Sequence, residues 1–299
     1  MQDKEIQEID LNTKLLQNEL YDMLEVLCEV CKKHNIDVFA LYGTAIGAVR
    51  HKGIIPWDDD IDIGITREDY TILKNVFNKE VTGYRLVDGT DKCAFHNMIF
   101  PRIYKENTIF EIEDVVNRQR TACGCKQLCQ PIWIDIFIFD HVKSLNEAHR
   151  KVAIAGVVKK IYTYFKLQLI ATDLDTKKLR IKLFVERLIC RMSNLILREP
   201  AALLVKLFSC YVRNGKGRYL VTFSPGLKRD CLSSLSEEVM FFPIMKVPFG
   251  NGEIGLQNNF DSALKYVYGN YMEMPPEQER KGHSYVQIVF SNGNRAMKK

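Results

Sequence analysis

Apolar and polar residues recur along this chain with two different periods, and each period predicts a type of element. Between residues 5 and 34 the apolar side chains recur every three or four positions, which predicts one amphipathic helix. The run DVFALYG, residues 37–43, is short, apolar and closed by glycine, which predicts a buried strand. Residues 60–65 alternate strictly and predict a second strand. Thr66, with Asp69 three positions later, predicts the N-cap of the next helix.

The middle of the chain continues this mixture of strands and helices. Residues 95–115 predict two strands that pair around a polar turn at residues 105–107. The run IWIDIFIFD, residues 132–140, predicts a strongly β-forming strand with Asp135 in its middle. Residues 145–212 have helical periodicity.

The last part of the chain is richer in loops. The run GNGEIGL, residues 250–256, predicts a hairpin turn, and FDSALKYVYGNYM predicts a short helix that ends near Gly269. Taken together, the elements predict an α+β or α/β layout, in which helices flank a small mixed sheet and a helical region is inserted.

Charge is distributed unevenly, although the net charge of the whole chain is only +5. Residues 150–218 hold 16 Lys and Arg against 4 Asp and Glu, a balance of +12, so the remainder of the chain sums to −7. Within this basic segment, residues 176–198 predict a cationic helix with an apolar stripe. Such a helix can lie on an anionic membrane, bind an anionic acceptor or present a solvated face over a core. Nucleic-acid binding is not expected, because no recognised module accompanies the charge.

The composition of the chain indicates where in the cell the protein is expected. No segment approaches 18 continuous apolar residues, so we expect no transmembrane helix. The acidic, polar start MQDKEIQEID does not resemble a secretory signal, and we expect a cytoplasmic protein. The nine cysteines are an odd number, which favours reduced thiols.

One cysteine-rich stretch allows a second interpretation. Its members could form a zinc site: Cys93, His96, Cys123, Cys125 and Cys129. The spacing differs from the paired C-x2-C pattern of strong zinc sites, so reduced, partly buried thiols are preferred.

Four aspartates crowd five positions in the stretch GTAIGAVRHKGIIPWDDDIDIGI, residues 43–65. On a strand, Asp60 and Asp62 point to the same face, roughly 7 Å apart along the chain. Each raises the proton affinity of the other unless a cation lies between them, and hard oxygen ligands suit Mg²⁺ or Mn²⁺. Asp135 offers a third carboxylate on another strand, and two metals held by three carboxylates are a known arrangement for phosphoryl displacement. The alternative is a solvated acidic turn with Asp135 as a satisfied core residue, but the apolar flanks of both strands favour a metal.

Small residues and cations precede these aspartates. Gly43 and Gly47 are predicted on the turn after the first strand, where they and Thr44 let backbone N–H groups and a hydroxyl approach a phosphate. The spacing matches neither the dinucleotide-binding pattern nor the P-loop. Arg50 and Lys52 place two cations beside the acidic cluster, either for a phosphate or as part of an exposed basic turn.

The stretch GTAIGAVRHKGIIPWDDDIDIGITREDY closely resembles the signature of the LicD family, whose members include the fukutin-related proteins. It also resembles the wider nucleotidyltransferase pattern, in which a strand carrying D-h-D follows a turn of small residues. The resemblance continues in FPRIYKENTIF, IWIDIFIFD and YVYGNYMEMPPEQERKGH. It therefore implies a nucleotidyltransferase-like core of residues 1–144 and 236–299, with residues 145–235 as a helical, basic insertion on the acceptor or membrane side.

The resemblance also implies roles for individual residues. The metal carboxylates are implied at Asp60, Asp62 and Asp135. The phosphate, nucleotide or acceptor side is implied at Gly43, Thr44, Arg102, Asn107 and Thr108. Family members transfer a substituted phosphate, typically phosphocholine or ribitol phosphate, from a CDP-linked donor to a sugar hydroxyl on a glycan.

We therefore expect a phosphotransferase that uses Mg²⁺ or Mn²⁺, releases CMP and modifies a cell-surface glycan or its lipid-linked precursor. Arg50, Lys52 and Arg102 are expected to stabilise phosphate charge. Asp135 is expected to hold a second metal or to accept the proton of the attacking hydroxyl. Asp58 and Asp59 are expected to support the site without binding metal.

Two other functions are compatible with the same residues. One is a nucleotidyltransferase that moves NMP from an NTP to a small acceptor, and the other is a non-catalytic binding protein of the same fold.

Overall fold

The structure is a computed structural model. It describes residues 2–91, 99–112, 129–167, 192, 199–213, 217–224 and 228–297, and the statements below concern this part of the chain.

A mixed seven-stranded sheet forms the centre of the described chain. The strands of its main path, in spatial order, are β1 (Val38–Ala40), β2 (Asp62–Thr66), β6 (Trp133–Val142), β4 (Arg102–Lys105) and β3 (Tyr84–Val87). The strands β7 (Tyr219–Thr222) and β8 (Ser236–Glu237) extend it from the carboxyl end of β6. β2 and β6 run parallel, whereas the other pairs in this sheet are antiparallel.

Two smaller sheets complete the strands. β5 (Ile109–Ile112), β11 (Tyr285–Val289) and β12 (Arg295–Met297) form a three-stranded antiparallel sheet. β9 (Met245–Phe249) and β10 (Gly252–Leu256) form the predicted hairpin, which is confirmed.

The helices lie between the strands in sequence. Their bounds are α1 (Gln2–Lys33), α2 (Tyr42–Ile46), α3 (Arg67–Glu80), α4 (Leu145–Leu167), α5 (Pro200–Val212), α6 (Lys228–Ser233), α7 (Glu238–Phe241) and α8 (Phe260–Tyr268). A π-helical turn, Gly47–His51, continues α2, and a 3₁₀ turn covers Glu277–Glu279. None of the described helices combines the length and apolar character needed to cross a bilayer.

The two faces of the central sheet differ in chemistry because successive side chains on a strand point to opposite faces. One face carries isoleucines of β2 and β6 and is packed by α1 and α3. Its buried residues include Leu20, Leu27, Ile63, Ile65, Leu73, Phe77, Ile134 and Ile136. The other face carries Asp62 and Asp135, followed along the strands by an aromatic cluster. That cluster includes Phe39, Phe100, Phe137, Phe139 and Phe241. The polar site therefore lies at one end of an otherwise apolar face.

Most predicted elements are confirmed, and so is the mixed sheet flanked by helices. The predicted N-cap is present, because the Thr66 hydroxyl accepts the N–H of Asp69 at 3.2 Å. The predicted pairing around residues 105–107 is wrong. β4 and β5 flank that turn as expected, but β4 joins the central sheet and β5 pairs with β11.

The predicted insertion, residues 145–235, is helical at α4 and α5. Its residues 219–222 nevertheless belong to the central sheet as β7. The proposed division into core and insertion stays a prediction. The predicted cationic helix at residues 176–198 lies outside the described residues, apart from Met192.

Candidate functional site

Asp62 and Asp135 lie side by side at the start of the parallel pair β2 and β6. They are direct register partners, so their side chains share one face of the sheet. The backbone of Asp62 is fixed on the side of α2. Its N–H donates to the Thr44 hydroxyl at 2.9 Å, and its carbonyl accepts the N–H of Leu41 at 3.0 Å. Leu41 and Thr44, at the start of α2, therefore fix the backbone of the first residue of β2.

Asp60 does not lie on the strand, which corrects the prediction for residues 60–65. β2 begins at Asp62, and Asp60 lies in the loop before it, so strand geometry does not impose the expected 7 Å spacing. Asp60 still belongs to the cluster. Burial, followed by repulsion from Asp58, Asp59 and Asp135, raises the pKa of Asp60 to about 8.

The neighbouring carboxyl groups show the same crowding. Burial and then repulsion from Asp60 and Asp135 hold the pKa of Asp62 well above its ordinary value. Burial and the charge of Asp59 raise the pKa of Asp58 to about 6. Converging carboxylates whose ionised forms are disfavoured are the donor set that a hard divalent cation stabilises. These residues therefore fit Mg²⁺ or Mn²⁺.

Asp135 forms an ion pair with Arg102, which Asp60 and Asp62 lack within the described part of the chain. Its Oδ1 accepts from Arg102 Nε at 2.5 Å, and its Oδ2 accepts from Arg102 Nη2 at 3.4 Å and from Trp133 Nε1 at 3.2 Å. The Arg102 guanidinium lies 4.4 Å from the centre of the Trp133 ring and also donates to Gln130. Arg102 thus lies beside the site, as predicted, but it is engaged with Asp135.

His283 joins the site from far along the chain, although no role was predicted for it from the sequence. Its backbone N–H donates to Asp59 Oδ2 at 2.8 Å, and its ring Nδ1 lies 2.9 Å from Asp59 Oδ1. The hydrogen bond to Asp59 raises the pKa of His283 to about 9, although burial opposes the charge. Asp59, Asp60 and His283 each offer one ligand atom, and these atoms lie within 4.8 Å of one another. The only signal for His283 was its place in the tail YVYGNYMEMPPEQERKGH, which carried the resemblance.

Two basic residues attach residues 271–283, the C-terminal segment, to the region of the site. Arg50 Nη1 donates to the carbonyls of Tyr271 at 2.7 Å and Glu273 at 3.0 Å. The Arg280 guanidinium lies 5.6 Å from the centre of the Trp57 ring. Arg50 therefore has a structural task, and its contact with phosphate stays a prediction. Lys52 is exposed, and its role in phosphate binding also stays a prediction.

Gly43 and Thr44 lie within α2, which corrects the prediction of an open turn. A Cβ at Gly43 would lie 2.8 Å from Asp58 Oδ2, so the absence of a side chain lets the Asp58 carboxylate approach the helix. The Thr44 hydroxyl binds the backbone of Asp62, as described above. Both residues shape the site, and contact with phosphate stays a prediction for both.

Asn107 and Thr108 form the turn between β4 and β5. Asn107 is exposed and has a positive φ of 61°, which asparagine tolerates better than most residues. The Thr108 hydroxyl donates to the Lys105 carbonyl at 2.6 Å and accepts the N–H of Ile132 at 2.9 Å. Ile132 precedes Asp135 by three residues, about 10 Å along a strand. The turn therefore supports the start of β6, and the predicted nucleotide or acceptor contacts remain predictions.

The candidate zinc ligands cannot be placed together. Cys93, His96, Cys123 and Cys125 lie outside the described residues, and Cys129 is exposed. The zinc site stays a prediction.

The central sheet is mixed and carries Asp62 and Asp135 side by side on adjacent parallel strands. The short helix α2, which contains Gly43 and Thr44, lies next to them. This arrangement is that of a nucleotidyltransferase-like domain. Residues 35–108 match the family model described as LicD/FKTN/FKRP, nucleotidyltransferase domain. This part of the chain is therefore similar to the nucleotidyltransferase domain of the LicD family, as the sequence resemblance indicated.

Similarity to individual proteins extends further along the chain. The chain is 24% identical over 279 residues to the lipopolysaccharide cholinephosphotransferase LicD of Haemophilus influenzae, a match that covers 90% of this chain and 94% of the relative. It is 46% identical over 66 residues to an uncharacterized protein of Rickettsia prowazekii, which covers 22% of this chain and 25% of the relative. A similar protein of Rickettsia typhi is 43% identical over 68 residues, with 22% of each chain covered.

Proposed function

We propose that this chain is a metal-dependent phosphotransferase. It moves a substituted phosphate, phosphocholine or a close analogue, from a CDP-linked donor to a sugar hydroxyl of a cell-surface glycan or its lipid-linked precursor. The observation that carries the proposal is the convergence of Asp60, Asp62 and Asp135 at one end of the central sheet. Similarity over most of the chain to a lipopolysaccharide cholinephosphotransferase supports this choice of reaction.

In this proposal Asp60 and Asp62 hold Mg²⁺ or Mn²⁺. Asp62 is the first residue of β2, and Asp60 lies in the loop just before it. Neither carboxylate forms an ion pair within the described part of the chain. A divalent cation bound there supplies positive charge for the donor diphosphate.

We assign Asp135 the role of holding the Arg102 guanidinium beside the site, and not that of accepting the proton of the acceptor hydroxyl. Both of its oxygens already accept hydrogen bonds from buried donors, Oδ1 from Arg102 and Oδ2 from Trp133. Its charge also keeps the buried Arg102 guanidinium beside the site, where the cation can attract phosphate oxygens.

The proposed transfer is a single displacement at the β-phosphorus of the donor. The acceptor hydroxyl oxygen forms a new bond to phosphorus, and the bond from phosphorus to the CMP oxygen breaks with its electron pair retained by CMP. The hydroxyl proton is released to solvent.

A donor screen tests the proposal. Unfolding temperature is measured with Mg²⁺ and, in separate samples, CDP-choline, CDP-ribitol, CDP-glycerol, CDP-ethanolamine or an NTP, and CMP release is then followed with a glycan acceptor. We expect one CDP donor to stabilise the wild-type chain selectively and to yield CMP, with neither effect in Asp62→Asn. Stabilisation by NTPs alone, with pyrophosphate released, would favour the nucleotidyltransferase. Full activity in a folded Asp62→Asn variant would contradict the assignment.

Contact with an anionic membrane is a separate proposal, which rests on the sequence of residues 176–198. Flotation with liposomes, with and without anionic lipid, tests it. We expect the full chain to float only with the anionic vesicles.

A further inference from the structure

The hydrogen bonds between Asp59 and His283 join two parts of the chain that are 224 residues apart. We propose that His283 is a positioning residue. Through its ring Nδ1 it fixes the Asp59 carboxylate, and with it the acidic loop, residues 58–60, that brings Asp58 and Asp60 to the site. This inference rests on the proposed function for the meaning of the site, but the contact itself can be tested without substrate.

The contact leaves Asp59 with one orientation. One carboxylate oxygen accepts the backbone N–H of His283 at 2.8 Å, and the other lies 2.9 Å from the ring Nδ1. The Asp59 side chain is only 7% exposed, so water cannot replace these partners freely. Two-point hydrogen bonding to a buried carboxylate fixes its plane as well as its position. Because Asp59 lies between Asp58 and Asp60, fixing it restricts both neighbours.

The acidic loop needs such a partner. It lies before the first residue of β2, so the hydrogen bonds of the strand do not hold Asp60. Gln17 supports only its beginning, by donating to the carbonyls of Ile55 at 2.9 Å and Asp58 at 2.8 Å. The carboxylates of the loop repel one another and Asp135, which favours an open loop unless a cationic group holds it.

Other contacts of the C-terminal segment also hold His283 beside Asp59. Gly282 lies against the loop so closely that a Cβ there would be 2.8 Å from the Trp57 carbonyl oxygen and 3.1 Å from Asp59 Cγ. Arg280 packs over the Trp57 ring, and Arg50 holds the start of the segment through two carbonyls. The contact of His283 with Asp59 is therefore one of several that bring the segment onto the loop.

The ring Nε2 of His283 offers a competing role, because the side chain is 54% exposed. If Nε2 met the substrate directly, His283 would act on the reacting groups and not on the loop. Substitution by two amides separates these roles. The amide nitrogen of asparagine is as many bonds from Cα as Nδ1 is, whereas that of glutamine reaches to the depth of Nε2.

The experiment compares His283→Asn, His283→Gln and His283→Ala in the full chain, with His149→Ala as a control at an exposed histidine outside the site. Two quantities are measured without substrate: amide hydrogen exchange of residues 57–62 in metal-free protein, and the affinity for Mn²⁺ alone. We expect His283→Gln and His283→Ala to speed the exchange and to weaken Mn²⁺ binding by about 10-fold or more, the range seen for residues that orient metal ligands. His283→Asn should restore both, and His149→Ala should match the wild type.

The results of this experiment distinguish a failure of the positioning role of His283 from a failure of the proposed function. The positioning role is overturned if exchange in residues 57–62 is the same in all four variants, or if glutamine restores it and asparagine does not. If wild-type protein binds no Mn²⁺, the proposed metal-dependent function fails, while the exchange data still decide the role of His283.

Discussion

Arg102 and Asp135 face each other across the neighbouring strands β4 and β6 and form a buried ion pair with two hydrogen bonds. The pair divides the carboxylates of the site into two kinds. Asp135 has a cation supplied by the fold, whereas Asp60 and Asp62 form no ion pair within the described residues. The same substitution should therefore have opposite effects on stability at Asp60 and at Asp135.

We expect Asp60→Asn to raise the free energy of unfolding of metal-free protein, because it removes a carboxylate that burial and three neighbours disfavour. Asp135→Asn should lower it, by roughly 3–5 kcal/mol if the buried guanidinium of Arg102 loses its ionic partner entirely. Both variants should lose transfer activity. Urea unfolding in the presence of a chelator measures the difference, and a stabilised Asp135→Asn together with a destabilised Asp60→Asn would show that this division is wrong.

Thr44 should matter through its hydroxyl alone. In Thr44→Val the N–H of Asp62 loses its acceptor, and an unsatisfied buried N–H costs about 1–3 kcal/mol. The start of β2 should shift as well, so the variant should lose activity beyond its loss of stability. Thr44→Ser keeps the oxygen and is the matched control. Equal stability of the valine and serine variants would count against this role.

Gly64 should tolerate no side chain. A Cβ there would lie 2.3 Å from the ring of Phe39, which is itself packed between Phe139 at 5.3 Å and Phe241 at 5.8 Å between ring centres. We expect Gly64→Ala to lower the free energy of unfolding by about 1–3 kcal/mol, as overpacking does. Gly252→Ala, also on a strand, meets nothing within 4 Å and should change it by less than about 0.5 kcal/mol. Chemical denaturation of the two variants gives the comparison, and similar losses in both would rule out a steric cause.

Acid stability should depend on Asp88. Burial alone would raise the pKa of Asp88, but hydrogen bonds from Lys74 and Thr90 outweigh it and hold that pKa below 3.8. Because the folded pKa is the lower one, the ionised group stabilises the fold above about pH 3.8, and this contribution is lost as the pH falls through the folded pKa.

Asp88→Asn should accordingly reduce stability near neutral pH, with a difference from wild type that shrinks below about pH 3.8. Urea titrations across this range measure it. Asp261→Asn removes an exposed carboxylate paired with Lys265 and is the comparison, with a smaller effect expected because water screens that pair. A difference for Asp88→Asn that stays constant with pH would exclude the ionised carboxylate as its source.

Local patterns predicted several of the strands and helices and named the three carboxylates that converge, Asp60, Asp62 and Asp135. The N-cap at Thr66 and the long strand through Asp135 depend on neighbouring residues, so the sequence carries them directly. The adjacency of Asp62 and Asp135 followed once both lay on strands that carry the acidic face.

Other features depend on contacts that no local pattern contains. α2 is only five residues long, too short for a helical period to be visible, so Gly43 and Thr44 were predicted on an open turn. β5 pairs with β11, which follows it by more than 170 residues, and this choice is decided by packing. The contact of Asp59 with His283 spans 224 residues, and no local period or spacing near His283 predicts it.

Because Asp59 and His283 are far apart in sequence, the ribosome completes the two parts of this contact at different times. A ribosome completes roughly 5–20 residues per second, so His283 follows Asp135 by a time on the order of ten seconds. The strands that carry the carboxylates can thus emerge and pair while the histidine that meets them has yet to be made. A nascent chain at that stage carries the acidic loop without His283, and the central sheet must tolerate these carboxylates until translation reaches the C-terminal segment.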